Sequence, residues 1–210
     1  MIQPASLSAL IEGDPLKAWQ TAIISKISDL LTGVTIKAHP GKVDISQMMA
    51  RTIVPAPGIA IGWSRVRTAR YINGAVDLTV DWSAYIVVED AVLGSKRVDR
   101  DRVGFAIGNR LLQILGDPDA SLWDMTSISL PVDQPPPQLS PLFTVPDEGK
   151  GTGYLAVTWT QSLVAQGAGL FAGPAPAFTG VVDDEGRAAI DADFGACLPI
   201  DVRAMWEGEP

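Results

Sequence analysis

GAVDLTVDWSAYIVVED, residues 74–90, alternates apolar and polar side chains along most of its length. The apolar even positions are Val76, Leu78, Val80, Trp82, Ala84, Ile86 and Val88. The odd positions begin with Asp77, Thr79, Asp81 and Ser83. A period of two predicts a β-strand with one buried face and one face in water. Because parallel strands are usually apolar on both faces, the pattern favours the central strand of an antiparallel sheet, with a bend or an extension towards a partner.

The preceding stretch predicts the other arm of a long hairpin. Residues 59–67 form a strand, residues 68–74 connect it to the long strand, and Asn73-Gly74 is a strong turn signal. Arg65, Arg67 and Arg70 gather near the tip of this hairpin. They are either solvated edge charges that discourage strand pairing, or a candidate protein interface that contacts an acidic partner surface.

Two amphipathic helices flank these strands. The first begins at Asp14-Pro15 and ends near Gly33. Its predicted buried residues are Trp19, Ile23, Ile27, Leu30 and Leu31, with Gln20 among the polar ones. The second follows Asp99 and Asp101 and stops at Gly116-Asp-Pro118. Its predicted buried stripe is Val103, Ala106, Ile107, Arg110, Leu111, Ile114 and Leu115, and Gly104 and Gly108 are expected to allow close packing against the sheet.

Shorter elements complete the prediction. Residues 34–38 form a strand closed by a turn in which His39 is expected at the surface, and Asp44 caps a helix over residues 45–51. Residues 53–58 and 91–96 are loops, and residues 123–130 are a strand. Residues 131–150 are a proline-rich loop without structure, and residues 154–163 are the final strand, with Leu155, Val157, Trp159 and Leu163 on one face.

The chain is therefore predicted to be α+β. An antiparallel sheet with one long hairpin strand is flanked by two main helices and followed by a C-terminal extension. Residues 1–15 form a flexible N-terminal arm, and residues 16–166 form the α+β domain. Residues 167–210 are a Gly/Pro-rich and acidic extension. One interpretation is a linker and packing arm that orders on a neighbouring surface, with a small hairpin at residues 181–187, and the other is a disordered tail.

Composition restricts the function. A net charge of −8 and a pI near 4.6 argue against nucleic-acid binding. With one cysteine, one histidine and no long apolar run or leader-like start, a soluble intracellular protein without a membrane segment is expected. The pairs Asp77/Asp81 and Asp183/Asp184 are interpreted as solvated acids. No catalytic, phosphate-binding or metal-ligand motif is present in the sequence, so neither an enzyme nor a cofactor is predicted.

Several short phrases resemble one family of phage proteins. Leu30-Leu-Thr-Gly33 followed by Val34-Thr-Ile-Lys, the long hairpin ending in Tyr85-Ile-Val-Val88, and the helix containing Gly104-Phe-Ala-Ile-Gly108 are similar to the Mu-like prophage tail terminator family. The closing strand Tyr154-Leu-Ala-Val-Thr-Trp159 occupies the corresponding final place. The resemblance spans roughly residues 16–166, and the family's pattern does not include the loop 131–150 or the extension 167–210.

The resemblance implies a structural virion protein of a bacteriophage or a gene-transfer agent. Such a protein is located in the tail or neck, assembles in the host cytoplasm, and forms a homo-oligomeric, hexameric ring on the tail tube protein. The ring stops tail elongation and supports head-tail joining through a head-side connector or neck protein. Two alternatives stay open: another neck or tail component, such as a head-completion or tube protein, and a small-ligand-binding or enzymatic α+β domain.

Overall fold

The computed structural model describes residues 4–41, 53–72, 75–145 and 151–166. The helices are α1 (Leu7–Glu12), α2 (Pro15–Leu30), α3 (Arg100–Gly116) and α4 (Pro118–Ser121). The strands are β1 (Thr35–Ala38), β2 (Gly58–Ile72), β3 (Ala75–Val88), β4 (Ala91–Leu93), β5 (Lys96–Val98), β6 (Gln138–Val145) and β7 (Thr152–Gln166). The α+β prediction is confirmed. The predicted helix 45–51, the Asn73-Gly74 turn and the extension 167–210 lie outside the described residues.

One mixed sheet, mostly antiparallel, organises the described chain. Its strand order is β1-β2-β3-β7-β6, so β3 occupies the central position that the alternating pattern predicts. β2 and β3 form the predicted hairpin, whose first arm is longer than expected because β2 continues to Ile72. β1 pairs with β2 in parallel, and the other neighbours in this sheet are antiparallel.

The even-numbered side chains of β3 face α2 and α3 across the main core. Three aromatic contacts mark its centre. Trp82 of β3 meets Trp19 of α2 edge to face, with ring centroids 5.0 Å apart, and stacks on Trp159 of β7 at 6.3 Å. Trp123 lies 6.3 Å beyond Trp159. These large rings join a helix, two strands and a connecting segment into one hydrophobic cluster.

The opposite face of β3 is less exposed than predicted. Thr79 and Ser83 are only 6% and 5% exposed. At one end of this face, Val87 belongs to a second small apolar cluster with Val54, Ala60 and Tyr154. The prediction of a fully wet face is therefore wrong. Only the tertiary arrangement brings segments 53–56 and 132–136 against this side of the sheet.

The first helix begins as predicted but buries one more residue. The Asp14 carboxylate accepts a bond from the Leu16 amide at 2.9 Å, and Pro15 occupies the first turn. Gln20 is buried, and its Nε2 donates to the carbonyl oxygens of His39 at 3.0 Å and Ile61 at 2.8 Å. The prediction that Gln20 lies on the polar face of the helix is therefore wrong. Its side chain is buried at the end of β1 because it bonds to these two carbonyls there.

His39 is buried as well, so the prediction of a surface turn residue is wrong. Its side chain is packed against Tyr85, with ring centroids 6.0 Å apart, and its Nδ1 lies 2.8 Å from the Gly41 carbonyl oxygen. At the start of the chain, the arm expected to be flexible contains α1, which has no buried residue.

The second main helix packs through its glycines, as predicted. A Cβ added at Gly104 would lie 2.6 Å from a methyl group of Leu155, and one at Gly108 would lie 2.6 Å from a methyl group of Leu139. Ala106 and Arg110 are exposed, so the predicted buried stripe is wrong at these two positions. The stripe turns towards the glycines because the backbone of α3 can approach the sheet most closely there.

Two of the predicted loops and strands between residues 91 and 130 are wrong. Residues 91–98 form the small hairpin β4–β5, with Gly94 at a φ of +63°, where a loop was predicted for 91–96. The predicted strand 123–130 is wrong. Trp123 and Asp124 have φ values of 54° and 57°, left-handed angles that interrupt an extended strand. Only an isolated bridge between Ile128 and Leu163 is present there.

The predicted unstructured loop 131–150 contains the edge strand β6. The amide of Val132 donates to the Thr160 carbonyl at 2.9 Å, and Gln138 pairs with Thr158. The intervening residues 133–137 must therefore arch away from the edge of β7. Pro135, Pro136 and Pro137 cannot donate to a β-ladder, which explains why pairing stops here and resumes at β6. We call residues 133–137 the proline arch.

Gln161 is a buried polar residue on the core face of β7. Its Oε1 accepts from the indole Nε1 atoms of Trp123 and Trp159, both at 2.9 Å. Its Nε2 donates to the carbonyl oxygens of Ser121 and Ser129, also at 2.9 Å. All the hydrogen-bonding capacity of this amide is used, so it can lie fully buried and attach the α4-to-β6 segment to the sheet.

We expect Gln161→Leu to lower the free energy of unfolding by at least about 2 kcal/mol, because two indole N–H groups and two carbonyls would lose their buried partner. Urea unfolding of the purified chain measures this change. The control is the same substitution at the exposed Gln113, which should stay within about 0.5 kcal/mol of wild type. Equal stability of the two variants would contradict the role of Gln161.

Candidate functional site

A β-bulge in β2 brings the predicted arginines to the polar face of the sheet. Gly62 lies opposite Ser83, and Trp63 lies opposite Trp82. The register then shifts, so that Arg65 lies opposite Asp81 and Arg67 opposite Thr79. Without this shift at Ser64, the alternation of β2 would place Arg65 and Arg67 on the same side as Ile59, Ile61 and Trp63, which is the core side.

The two arginines converge on one carboxylate. A guanidinium nitrogen of Arg67 lies 2.6 Å from Asp81 Oδ2, and Arg65 Nε lies 3.6 Å from the same oxygen. The Thr160 hydroxyl donates to Asp81 Oδ1 at 2.8 Å. Nearby, the hydroxyl groups of Thr79 and Ser162 lie 2.8 Å apart. The result is a hydrogen-bonded polar network across β2, β3 and β7.

This network changes the acidity of Asp81. Burial raises the pKa of its carboxyl group, but the hydrogen bonds from Arg67 and Thr160 and the charges of Arg67 and Arg65 lower it. The lowering contributions win, and the pKa lies below its ordinary value of 3.8. Asp81 is therefore a carboxylate at neutral pH and partly neutralises the two arginines.

A groove of about 360 Å³ lies over this network. Its floor includes Asp81, Ser83, Thr158 and Thr160, and the proline arch forms one side of it. Arg65 and Arg67 line the other side, on β2. We call this the Arg65 groove. It lies along the strands and is open to solvent, and its lining offers guanidinium and hydroxyl groups for hydrogen bonding.

A second groove of about 560 Å³ continues along the same face. The two grooves share Arg67, Pro135 and Thr160. The second groove also includes Asp77, Thr79 and Ser162 in its lining. Since β3 advances about 3.3 Å per residue, the distance from Ser83 to Asp77 gives the combined grooves a length of about 20 Å.

The predicted interface residues are brought together only in part. Arg65 and Arg67 share Asp81, but they lie in the body of the hairpin and not near its tip, because β2 extends to Ile72. Arg70 lies opposite Asp77 in the strand register, and its side chain is outside the description. A second register shift, between Thr68 and Arg70, sets this pairing.

Sequence reasoning missed most of the groove. Asp81 was interpreted as a solvated acid, but its side chain is only 22% exposed, and this prediction is wrong. The sequence places Thr158 and Thr160 on the polar side of their strand, a signal that was available. Pro135 lines the groove because the proline arch extends over the polar face from the edge of the sheet, and no local sequence pattern indicates this path. Asp183 and Asp184 lie outside the described residues.

Metal-ligating clusters and membrane-spanning helices are both absent from the described ranges. Those residues contain no group of three or more His, Cys, Asp or Glu side chains that could hold a metal ion. None of the helices in that part of the chain has both the length and the apolar character needed to span a bilayer. Neither a protein-family model nor a curated protein sequence matches the chain.

We expect Asp81→Asn to make the chain less stable than wild type at pH 7 and the difference to shrink in acid. The folded-state pKa of Asp81 is lowered, so its ionisation stabilises the fold above the unfolded pKa of about 3.9. That stabilisation is lost as the pH falls through the folded pKa. Urea unfolding of both proteins from pH 7 into the acid range tests this, and a constant difference throughout would contradict it.

Proposed function

We propose that this chain is a structural virion protein of a phage or gene-transfer agent, a tail terminator. It forms a ring, hexameric as in the family it resembles, on the last ring of the tail tube protein. The ring stops tail elongation and offers a joining surface to a head-side connector. The α+β fold with one long hairpin is the architecture that the resemblance implies, and it supports this proposal.

The observation that carries the proposal is the long outer edge of β2, of which β1 covers only the first part. β1 pairs with β2 only from Gly58 to Ile61. From Gly62 to Ile72, no strand among the described residues covers the outer edge of β2. A long hairpin arm with an uncovered edge and exposed arginines is suited to contacts between subunits or with another virion protein.

Two alternatives make different predictions. Another neck or tail component would use the same hairpin contacts, but a tube protein would polymerise into stacked rings, whereas a terminator stops at one. A small-ligand-binding domain is favoured by one observation, the convergence of Arg65, Arg67, Thr158 and Thr160 in a groove. Asp81 pairs closely with Arg67, which leaves Arg65 alone at the rim of an open groove, and this makes the small-ligand alternative the weaker one.

We expect particles produced without this gene to carry tails of uncontrolled length that are not joined to heads, because nothing would cap the growing tube. Electron microscopy of these particles measures tail length and head attachment directly. Complementation with the wild-type gene is the control. Tails of normal length that fail to join heads would assign the chain to the head side of the neck. Intact particles would contradict a virion role.

We expect Arg65→Glu to reduce the yield of joined particles, because charge reversal would repel an acidic partner surface. Arg65 is 70% exposed, so the substitution should change the folding stability by no more than about 1 kcal/mol. The matched control is Arg102→Glu, at an exposed position on α3, on the helix side of the sheet. If both variants assemble equally well and remain folded, Arg65 is not part of the interface.

A further inference from the structure

We propose that the Arg65 groove binds an extended acidic segment of a partner protein and holds one carboxylate of that segment at Arg65. This inference deepens the proposed function, on which it rests for the partner's location in the virion. The binding itself requires only the isolated chain. Charge, shape and the chemistry of the lining each point to this occupant.

The first argument is charge. Two guanidinium groups, those of Arg65 and Arg67, line the groove with one carboxylate, that of Asp81. The lining of the Arg65 groove therefore has one net positive charge, in a chain whose formal net charge is −8, and Asp77 in the second groove confines this positive charge to the Arg65 end of the combined cleft. Asp81 bonds closely to Arg67 at 2.6 Å but lies 3.6 Å from Arg65. Arg65 is 70% exposed and keeps most of its donors for an incoming carboxylate.

The second argument is shape. The Arg65 groove continues into the second groove through Arg67, Pro135 and Thr160, which makes the combined cleft long and open. A length of about 20 Å along the strands corresponds to about six residues of extended chain. A compact ligand would leave most of this length empty. An extended peptide can fill it while one of its side chains reaches Arg65.

The third argument is the lining beneath and beside such a peptide. Thr158 and Thr160 contribute hydroxyl groups on the floor. The Thr160 hydroxyl gives its proton to Asp81 and can still accept a hydrogen bond from a peptide N–H, and the Thr158 hydroxyl can donate or accept. Pro135 and Pro136 offer rigid apolar contact along one side. Asp77 lines the far end, so the acidic residue of the segment is expected at the Arg65 end.

The test uses the full chain and two fluorescein-labelled hexapeptides. One peptide has a single aspartate near one end followed by threonine and serine residues, and in the other peptide asparagine replaces that aspartate. We expect fluorescence anisotropy to show binding of the acidic peptide that weakens as salt is added, because the contact is between exposed charges. Arg65→Gln should weaken this binding about fivefold. Arg102→Gln should leave it unchanged.

Three results would overturn the proposal: no binding of the acidic peptide, equal binding of both peptides, or equal affinity of the Arg65→Gln and wild-type chains. Circular dichroism of each variant confirms that the chain is folded. The outcome is separable from the proposed function. If the peptide does not bind but the gene deletion gives tails of uncontrolled length, the groove proposal is rejected and the terminator proposal stands. If the peptide binds but the gene deletion gives intact particles, the groove proposal stands and the terminator proposal is rejected.

Discussion

The core depends on the burial of Trp82 at the centre of the sheet. This side chain meets α2 through Trp19 and meets β7 through Trp159, so one residue of the central strand holds both layers together. Gln161 extends the same cluster by accepting hydrogen bonds from Trp159 and Trp123. The indole N–H groups of Trp19 and Trp82 themselves have no hydrogen-bond acceptor in the described structure, so their contribution comes from packing alone.

The polar face follows from this core through strand register. Because Trp82 must face the helices, Asp81 must face the other side, together with Thr79 and Ser83. The bulge at Ser64 then brings Arg65 and Arg67 to that side as well, where Asp81 can pair with them. Without the bulge, Arg65 and Arg67 would lie on the helix side of the sheet, where Val66 now packs against the core, and burial of their charges there would cost free energy. The register shift therefore keeps the two arginines away from the helix side of the sheet, and it also places them along the groove.

The groove and the hairpin edge both offer extended surfaces for contact. The uncovered stretch of β2 from Gly62 to Ile72 and the open cleft beside Arg65 lie on neighbouring parts of one sheet. A ring subunit needs contacts on more than one side, and a terminator needs a further surface for its tube or connector. We propose that the hairpin edge contacts neighbouring virion proteins and that the groove binds an acidic segment of a partner.

The sequence by itself determined β3, α2, α3, β7 and the hairpin of β2 with β3. Each of these has a periodic apolar pattern, and Asp14-Pro15 and Gly116-Asp-Pro118 mark helix ends through local chemistry. Only the tertiary structure decided which polar residues are buried. Gln20 and Gln161 lie inside because carbonyl or indole groups from distant segments bond to them there, and His39 lies inside because Tyr85 of β3 packs against it. The left-handed turn at Trp123 and the proline arch were likewise invisible, since both depend on what β7 offers for bonding. The candidate site depends on both sequence and tertiary structure. The arginines were predicted from the sequence, and the one-residue bulge in β2 places them beside Asp81.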